Sequence, residues 1–344
     1  MLCLTTRLVP WAEESLERRL RTLLDTQIPG IILSQQDPLD HWAILGREIT
    51  GAKFHLPAAI LPTAAKPFLP GRPALLPHLD ALDESESQHA LESVLSGLEK
   101  AQDLEIPALI LSAPEQRPGP VFDQLLVKHR GWFQQRRRLL ESVPKGDVEV
   151  AANVENRLLT LRGEYQRFFG EWKKSQPPVN RRLDSLLRNL DKILDAADRI
   201  GTQILLMESR HPLTPLGRDS LPETLQRFAG APLSFLLDPT AESANRDLQG
   251  LDTIAALQPP DQEAAGILLG NYNASFEETL PLSGVLNPDL LFCKGSTPLS
   301  LPLHILDPAP GSSLDELQQT VIECRSRGFD GDPPPVAGEP WKIF

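Results

Sequence analysis

The chain has 344 residues, of which 41% are hydrophobic, and a formal net charge of −12. That length and apolar content suffice for one large α/β barrel or two ordinary domains. The acidic balance argues against broad nucleic-acid or anionic-membrane binding, because phosphates would be repelled. No run of about 18 apolar residues is present to span a bilayer. Cys3, Cys293 and Cys324 form no CxxC pair, and no basic stretch followed by an apolar one opens the chain. A reducing compartment and a cytoplasmic location are the expectation.

In chain order, Leu2–Leu8 reads as a first strand, and Trp11–Gln27 as a helix opened by Pro10, with Leu16, Leu20, Leu23 and Leu24 on one face. Ile31–Leu33 is a second strand and Pro38–Ile49 a second helix. Lys53–Leu56 is a third strand, followed by a Pro-rich loop to Pro77. Asp83–Leu104 is a helix and Ile106–Leu111 a fourth strand. Four strand–helix alternations before residue 112 predict a parallel sheet with crossover helices.

The alternation then pauses. Leu125/Leu126, Trp132/Phe133 and Leu139/Leu140 recur every seven residues, and Val154, Leu158, Leu161, Tyr165, Phe168 and Trp172 follow at four-and-three steps. Pro177-Pro178 ends that run, and Leu183, Leu187, Leu190, Leu194 and Ala197 mark a third helix ending at Gly201. The spacing predicts a coiled-coil-like helical hairpin over 121–174, inserted after the fourth strand and packed on the extended N-terminal end of the third helix. Between Val121 and Arg182 stand 13 Lys/Arg and 7 Asp/Glu, so this stretch carries +6 and the rest of the chain −18. A solvated helical face explains such a charge run without further function. The functional expectation is a protein partner or self-association through 121–174, with nucleic acid the least expected partner.

Ile204–Glu208 and Leu233–Asp238 are apolar runs of strand length that each end on a carboxylate. Such runs are buried parallel strands, and α/β proteins build their sites at the C-terminal strand ends. Glu208 and Asp238 therefore fall on one rim, as a catalytic and metal-binding pair or, in the simpler alternative, as helix caps or partners of Arg210. Between and after them come a short helix near Ser220, a helix from Glu242 to Leu257, and a strand over Gly266–Gly270 ending near Asn271. Leu290–Phe292 and Leu301–Leu306 are further short apolar runs. Ser313-Leu-Asp-Glu316 has capping-box form and opens a helix over Leu314–Arg327. The Pro-rich 332–344 segment closes the chain and is left with a very short eighth strand. This count predicts a (β/α)8 TIM barrel over 1–344 as a single domain. His55, Arg210, His211 and Asn271 are the candidate substrate contacts. No GxGxxG and no GxxxxGK followed by Ser or Thr occurs, so no nucleotide cofactor is expected.

Three stretches are similar to the xylose-isomerase-like TIM-barrel superfamily of sugar isomerases, sugar phosphate epimerases and endonuclease-IV-type phosphodiesterases. They are Ala196–Glu208, Phe235–Thr240, and Pro310–Leu317 together with Arg327-Gly-Phe-Asp-Gly331. The resemblance implies that Glu208 and Asp238 ligate a divalent Mn, Zn or Mg ion and that a sugar or sugar phosphate is the substrate. The family commonly places a His three residues after the Asp, where this chain has Ala241. It often carries a His and an Asp on the seventh strand, where Gly270-Asn-Tyr-Asn273 stands unless Leu303-His-Ile-Leu-Asp307 fills that role. It ends the eighth strand on a Glu, for which Glu339 is the nearest candidate. The implied metal set is Glu208, Asp238, His304 and Glu339. The reaction would be isomerisation or epimerisation through an enediolate. The alternative is a catalytically degenerate barrel that binds or scaffolds through its helical insertion. A phosphodiesterase would need about three metals, and the histidines at strand ends are too few.

Overall fold

A barrel strand meets side chains from other strands on its inner face and helices on its outer face, so both faces must be apolar. The computed structural model describes residues 1–8, 21–23, 25–34, 37, 39–61, 79–112, 120–142, 148–176, 179–207, 220–251, 264–272, 278–284, 301–308 and 312–329. Its strands are β1 (Leu2–Thr5), β2 (Gly30–Leu33), β3 (His55–Ile60), β4 (Ala108–Ser112), β5 (Gln203–Met207), β6 (Leu233–Leu237), β7 (Gly266–Leu269), β8 (Asn271–Tyr272), β9 (Glu278–Thr279) and β10 (Leu303–Leu306). β1 to β7 and β10 pair in parallel and close into an eight-stranded barrel, while β8 and β9 form a small antiparallel ladder on the β7–β10 connection. The helices are α1 (Leu39–Gly51), α2 (Glu84–Asp103), α3 (Pro120–Glu141), α4 (Val148–Lys174), α5 (Val179–Ile200), α6 (Leu221–Arg227), α7 (Pro239–Leu248) and α8 (Leu314–Ser326). The expected (β/α)8 architecture is present.

Strand alternation separates two apolar layers. Cys3, Ile32, Ile110, Leu205, Leu236 and Ile305 fill the barrel. Their strand neighbours Leu4, Leu33, Leu111, Leu206, Phe235 and Leu306 face outward into the layer shared with the helices. Burial pushes the Cys3 and Cys324 thiols up to about 12, which leaves both as inert apolar groups. At the N-terminal rim several turns into strands pass through left-handed backbone. Gly201 and Gly230 do so before β5 and β6, and Gln27, Lys53 and Glu105 do so before β2, β3 and β4 at the steric cost of a Cβ.

Three expectations are corrected. The third strand runs His55–Ile60 rather than Lys53–Leu56. That reading let Pro57 open the Pro-rich loop. In the structure the β2–β3 register shifts between Gly30 and Ile32, so that Pro57 falls in the irregularity. The helix expected over Glu242–Leu257 spans Pro239–Leu248 and ends at Gly250, whose φ is 67°. The Leu251 amide donates to the Arg246 carbonyl at 2.8 Å and the Gly250 amide to Asp247 at 2.9 Å, which completes a Schellman ending. The eighth barrel strand is β10, hydrogen-bonded to both β7 and β1, and not a piece of 332–344. Leu290–Phe292, 332–344 and most of the expected Trp11–Gln27 helix lie outside the described residues.

Between β4 and β5 the chain forms α3, α4 and α5. Leu125 and Trp132 of α3 pack against Tyr165, Phe169 and Trp172 of α4, and Trp132 stacks on Tyr165 at 4.9 Å between ring centroids. Val179, the first residue of α5, packs against the same cluster. The polar contacts of α3 and α4 run instead to the end of α7. His129 Nε2 is hydrogen-bonded to the Asp247 carbonyl at 3.1 Å, and the Tyr165 hydroxyl donates to the Leu248 carbonyl at 2.8 Å. Arg162 Nε donates to the Gly250 carbonyl at 2.6 Å and Gln166 Nε2 to the same oxygen at 3.0 Å. These donors satisfy carbonyls that a helix end leaves unpaired, at its electronegative pole. Elsewhere, Arg182 of α5 pairs with buried Asp80 before α2, and burial raises the Asp80 pKa against the opposing pull of Arg182.

The inner layer is tight enough to test. A Cβ on Gly266 would lie 2.7 Å from both the Leu303 Cβ and the Leu303 carbonyl oxygen, and backbone on β10 cannot swing aside. Gly266→Ala should lower unfolding free energy by about 1–3 kcal/mol in chemical denaturation. An unchanged midpoint would show that the β7–β10 contact is looser than described.

Candidate active site at the barrel mouth

The C-terminal ends of the strands define the mouth, and the residues just beyond them are the candidates for chemistry. Asp238 directly follows β6 and is 3% exposed. Its Oδ1 accepts the Ala241 amide at 2.8 Å and so caps α7, with Pro239 occupying the first helical position. Ala241, standing where a metal-ligating His was sought, thus uses its backbone to fix Asp238. β5 and β6 pair in parallel from Ile204↔Leu233 to Met207↔Leu236. Their ends are neighbours on the rim. Glu208 is the next residue in sequence after Met207; Glu208, Arg210, His211 and Glu339 lie outside the described residues.

The other expected site residues fall elsewhere. His55 begins β3, its amide donates to the Pro29 carbonyl at 3.0 Å, and its side chain is exposed. It sits on the N-terminal rim, at the opposite end of the barrel from the mouth. The reading that ended the third strand at Leu56 turned its start into its end. His304 is the second residue of β10, between the barrel-filling Leu303 and Ile305. Its ring lies edge-to-face on Phe329 at 5.0 Å, within the layer between barrel and helices, so it points away from the mouth. Asn271 is fully buried. Its Nδ2 donates to the Pro281 carbonyl at 2.9 Å and its Oδ1 accepts the Tyr272 amide at 2.9 Å. Its amide thus ties β8 to the turn that follows β9. Beside it, burial raises the Tyr272 phenol, Asp247 adds to that and Arg136 opposes it, so the side chain stays neutral at ordinary pH.

One cluster at the mouth was not singled out from the sequence. The Thr5 hydroxyl donates to Asp307 Oδ1 at 2.6 Å, and Arg7 Nη1 donates to Asp307 Oδ2 at 2.9 Å. Both charged side chains are 13% exposed. Asp307 directly follows β10, and the Leu4↔Leu306 pairing brings it level with Thr5 at the end of β1. Next to them, Asp37 Oδ2 accepts the Ser34 amide at 2.8 Å and also the Thr6 hydroxyl, which fixes the end of β2 against β1. A cation closing the first strand and a carboxylate closing the last would have been the sequence signal. It was obscured because the last strand was sought 30 residues further on.

Of the implied metal ligands, Asp238 and His304 are described, and of these two Asp238 stands at the mouth. Among the described residues no group of three or more His, Cys, Asp or Glu is arranged to hold a metal. His304 faces the helices and Asn271 is engaged within its own loop. Asp307, at the end of the eighth strand where the resemblance implied a ligating Glu, is tied to a guanidinium.

The cap makes Asp238 testable for structure separately from chemistry. Asp238→Ala should cost about 1 kcal/mol of stability, whereas Asp238→Asn, an equally good cap, should cost only a few tenths. Equal losses in thermal denaturation would show that the carboxylate charge, and not the cap, is what the fold needs.

No protein-family model and no curated protein sequence matches the chain. Solved structures do. The 3-keto-D-glucoside 4-epimerase of E. coli superposes with a TM-score of 0.58 at 9% identity, covering 94% of this chain and 98% of its own. A D-tagatose 3-epimerase-like protein gives 0.57 at 12% identity, covering 95% and 97%. The IOLI protein, whose structure holds a zinc atom, gives 0.57 at 12% identity with the same coverage. At such identities the likeness is one of fold. Over nearly its whole length the chain has the (β/α)8 barrel fold of these proteins.

Proposed function

We propose that this barrel binds a sugar or sugar phosphate at its C-terminal mouth and isomerises or epimerises it by moving a proton at a carbon next to a carbonyl. One observation carries the reading: buried Asp238 stands at the end of β6, beside the end of β5 that Glu208 follows, in a barrel shaped like those of sugar epimerases. Two carboxylates on adjacent strand ends can divide the work. One removes the proton, and the other returns it to the opposite face or the neighbouring carbon. The α7 cap holds Asp238 in one orientation, and a positioned base is far more effective than a mobile one. Arg210 and His211, which follow Glu208 in sequence, are assigned to the substrate's polar groups.

The 121–174 segment enters this proposal as a helical hairpin inserted into the barrel. Its apolar inner face is spent on itself and on α5, and its polar inner residues hold the far end of α7. Its role is thus to steady the helix whose first turn fixes Asp238.

Protein incubated with ketoses and their phosphates in deuterated water should place deuterium on the reacting carbon, read by proton NMR. Glu208→Gln and Asp238→Asn should each slow that exchange at least about a hundredfold. Exchange that persists in both variants would remove these carboxylates from the reaction.

A further inference from the structure

We propose that the mouth carries its positive charge on Arg7, held by Asp307 and Thr5, in place of a divalent ion. The proposal rests on the isomerase reading for its chemistry but not for its first test. The described ends of β6, β7 and β10, where ligands were sought, are each committed to a protein partner. Asp238 receives the Ala241 amide, Asn271 binds Pro281 and Tyr272, and Asp307 receives Thr5 and Arg7. Among the described strand ends, Arg7 brings a cation to that rim, and it comes from the 3-10 turn Thr6–Leu8 that ends β1. The turn is itself anchored, since the Thr6 hydroxyl donates to Asp37 and accepts the Ser34 amide at 2.8 Å. A guanidinium fixed by a carboxylate and a turn cannot follow the substrate. It presents charge at one place, as electrostatic stabilisation of a transition state requires.

The chemistry balances without a co-reactant. The C–H bond next to the carbonyl breaks, its proton passes to a carboxylate, and its electron pair moves into the C–C–O unit. The negative charge collects on the sugar oxygen, the group assigned to Arg7, and reprotonation of carbon releases it. A sugar that is itself anionic, as a phosphate or an acid, gains further from the same cation.

Titration calorimetry of Mn²⁺ and Zn²⁺ into EDTA-treated full-length protein is the first test, and it needs no substrate. The expected result is no one-to-one uptake with Kd below about 10 µM; such uptake by the wild type overturns the proposal whether or not any sugar reacts. In Arg7→Met, Asp307 is released, and Mn²⁺ affinity should rise at least about tenfold. Arg7→Lys, which retains the charge, should show no such rise and controls for folding alongside thermal melts. An unchanged affinity in folded Arg7→Met also overturns the proposal. In the deuterium assay, wild-type exchange should survive EDTA. Exchange abolished by EDTA and restored by Mn²⁺ would refute the metal-free site, while leaving the isomerase reading in place.

Discussion

Closure of the barrel by β10 is the constraint on which the rest of the structure depends. A parallel sheet that closes on itself has no free edge, so the backbone donors and acceptors of its edge strands find partners in the ladder. β10 supplies them by pairing with β1 on one side and β7 on the other. That seam joins residues some 300 positions apart, and it is where Thr5, Arg7 and Asp307 meet. The polar cluster at the mouth is therefore a product of closure. Without the β1–β10 register, Asp307 would have no reason to lie beside Arg7.

The second organising feature is the support of α7. Eight of its ten residues are buried, among them the polar Thr240, Glu242, Ser243, Asn245 and Asp247. A helix behind a barrel strand ordinarily leaves one face to solvent. Here the barrel takes one side, while His129, Tyr165, Arg162 and Gln166 from α3 and α4 close over its C-terminal end. The N-terminal end, by contrast, is fixed by Asp238 at the mouth. One short helix thus links the 121–174 segment to the candidate catalytic carboxylate, and both of its termini are satisfied by groups it does not itself supply.

How much of this was legible in the sequence depends on whether the signal was local. β2, β5, β6 and β7 are buried on both faces, so their continuous apolar runs announced them directly. The Ser313–Glu316 capping box and the Gly201 helix stop are equally local and stand as expected. β3 was misjudged because Pro57 argues against a regular strand, and the register shift that accommodates it belongs to β2 as much as to β3. β10 was undervalued since Pro302 and a buried His304 interrupt the apolar pattern, yet the ring is absorbed by Phe329 from beyond α8. The burial of α7 was invisible, because its polar sequence describes a surface helix until residues a hundred positions earlier cover it. Asp238 was legible as a strand-end carboxylate, but not its cap; Asp307 was read only as the end of the Leu303–Asp307 run, and its pairing with Arg7 was not legible, since the two stand 300 positions apart.

The account turns on Arg7 and Asp307 being held together across the closing seam. A double-mutant cycle of Arg7→Met and Asp307→Asn, read by urea denaturation, measures that directly. Each single change should be destabilising, and the two should couple by about 1 kcal/mol or more, as partly buried partners do. Strictly additive effects would mean that the pair does not form, and with it the proposed cation site at the mouth would be lost.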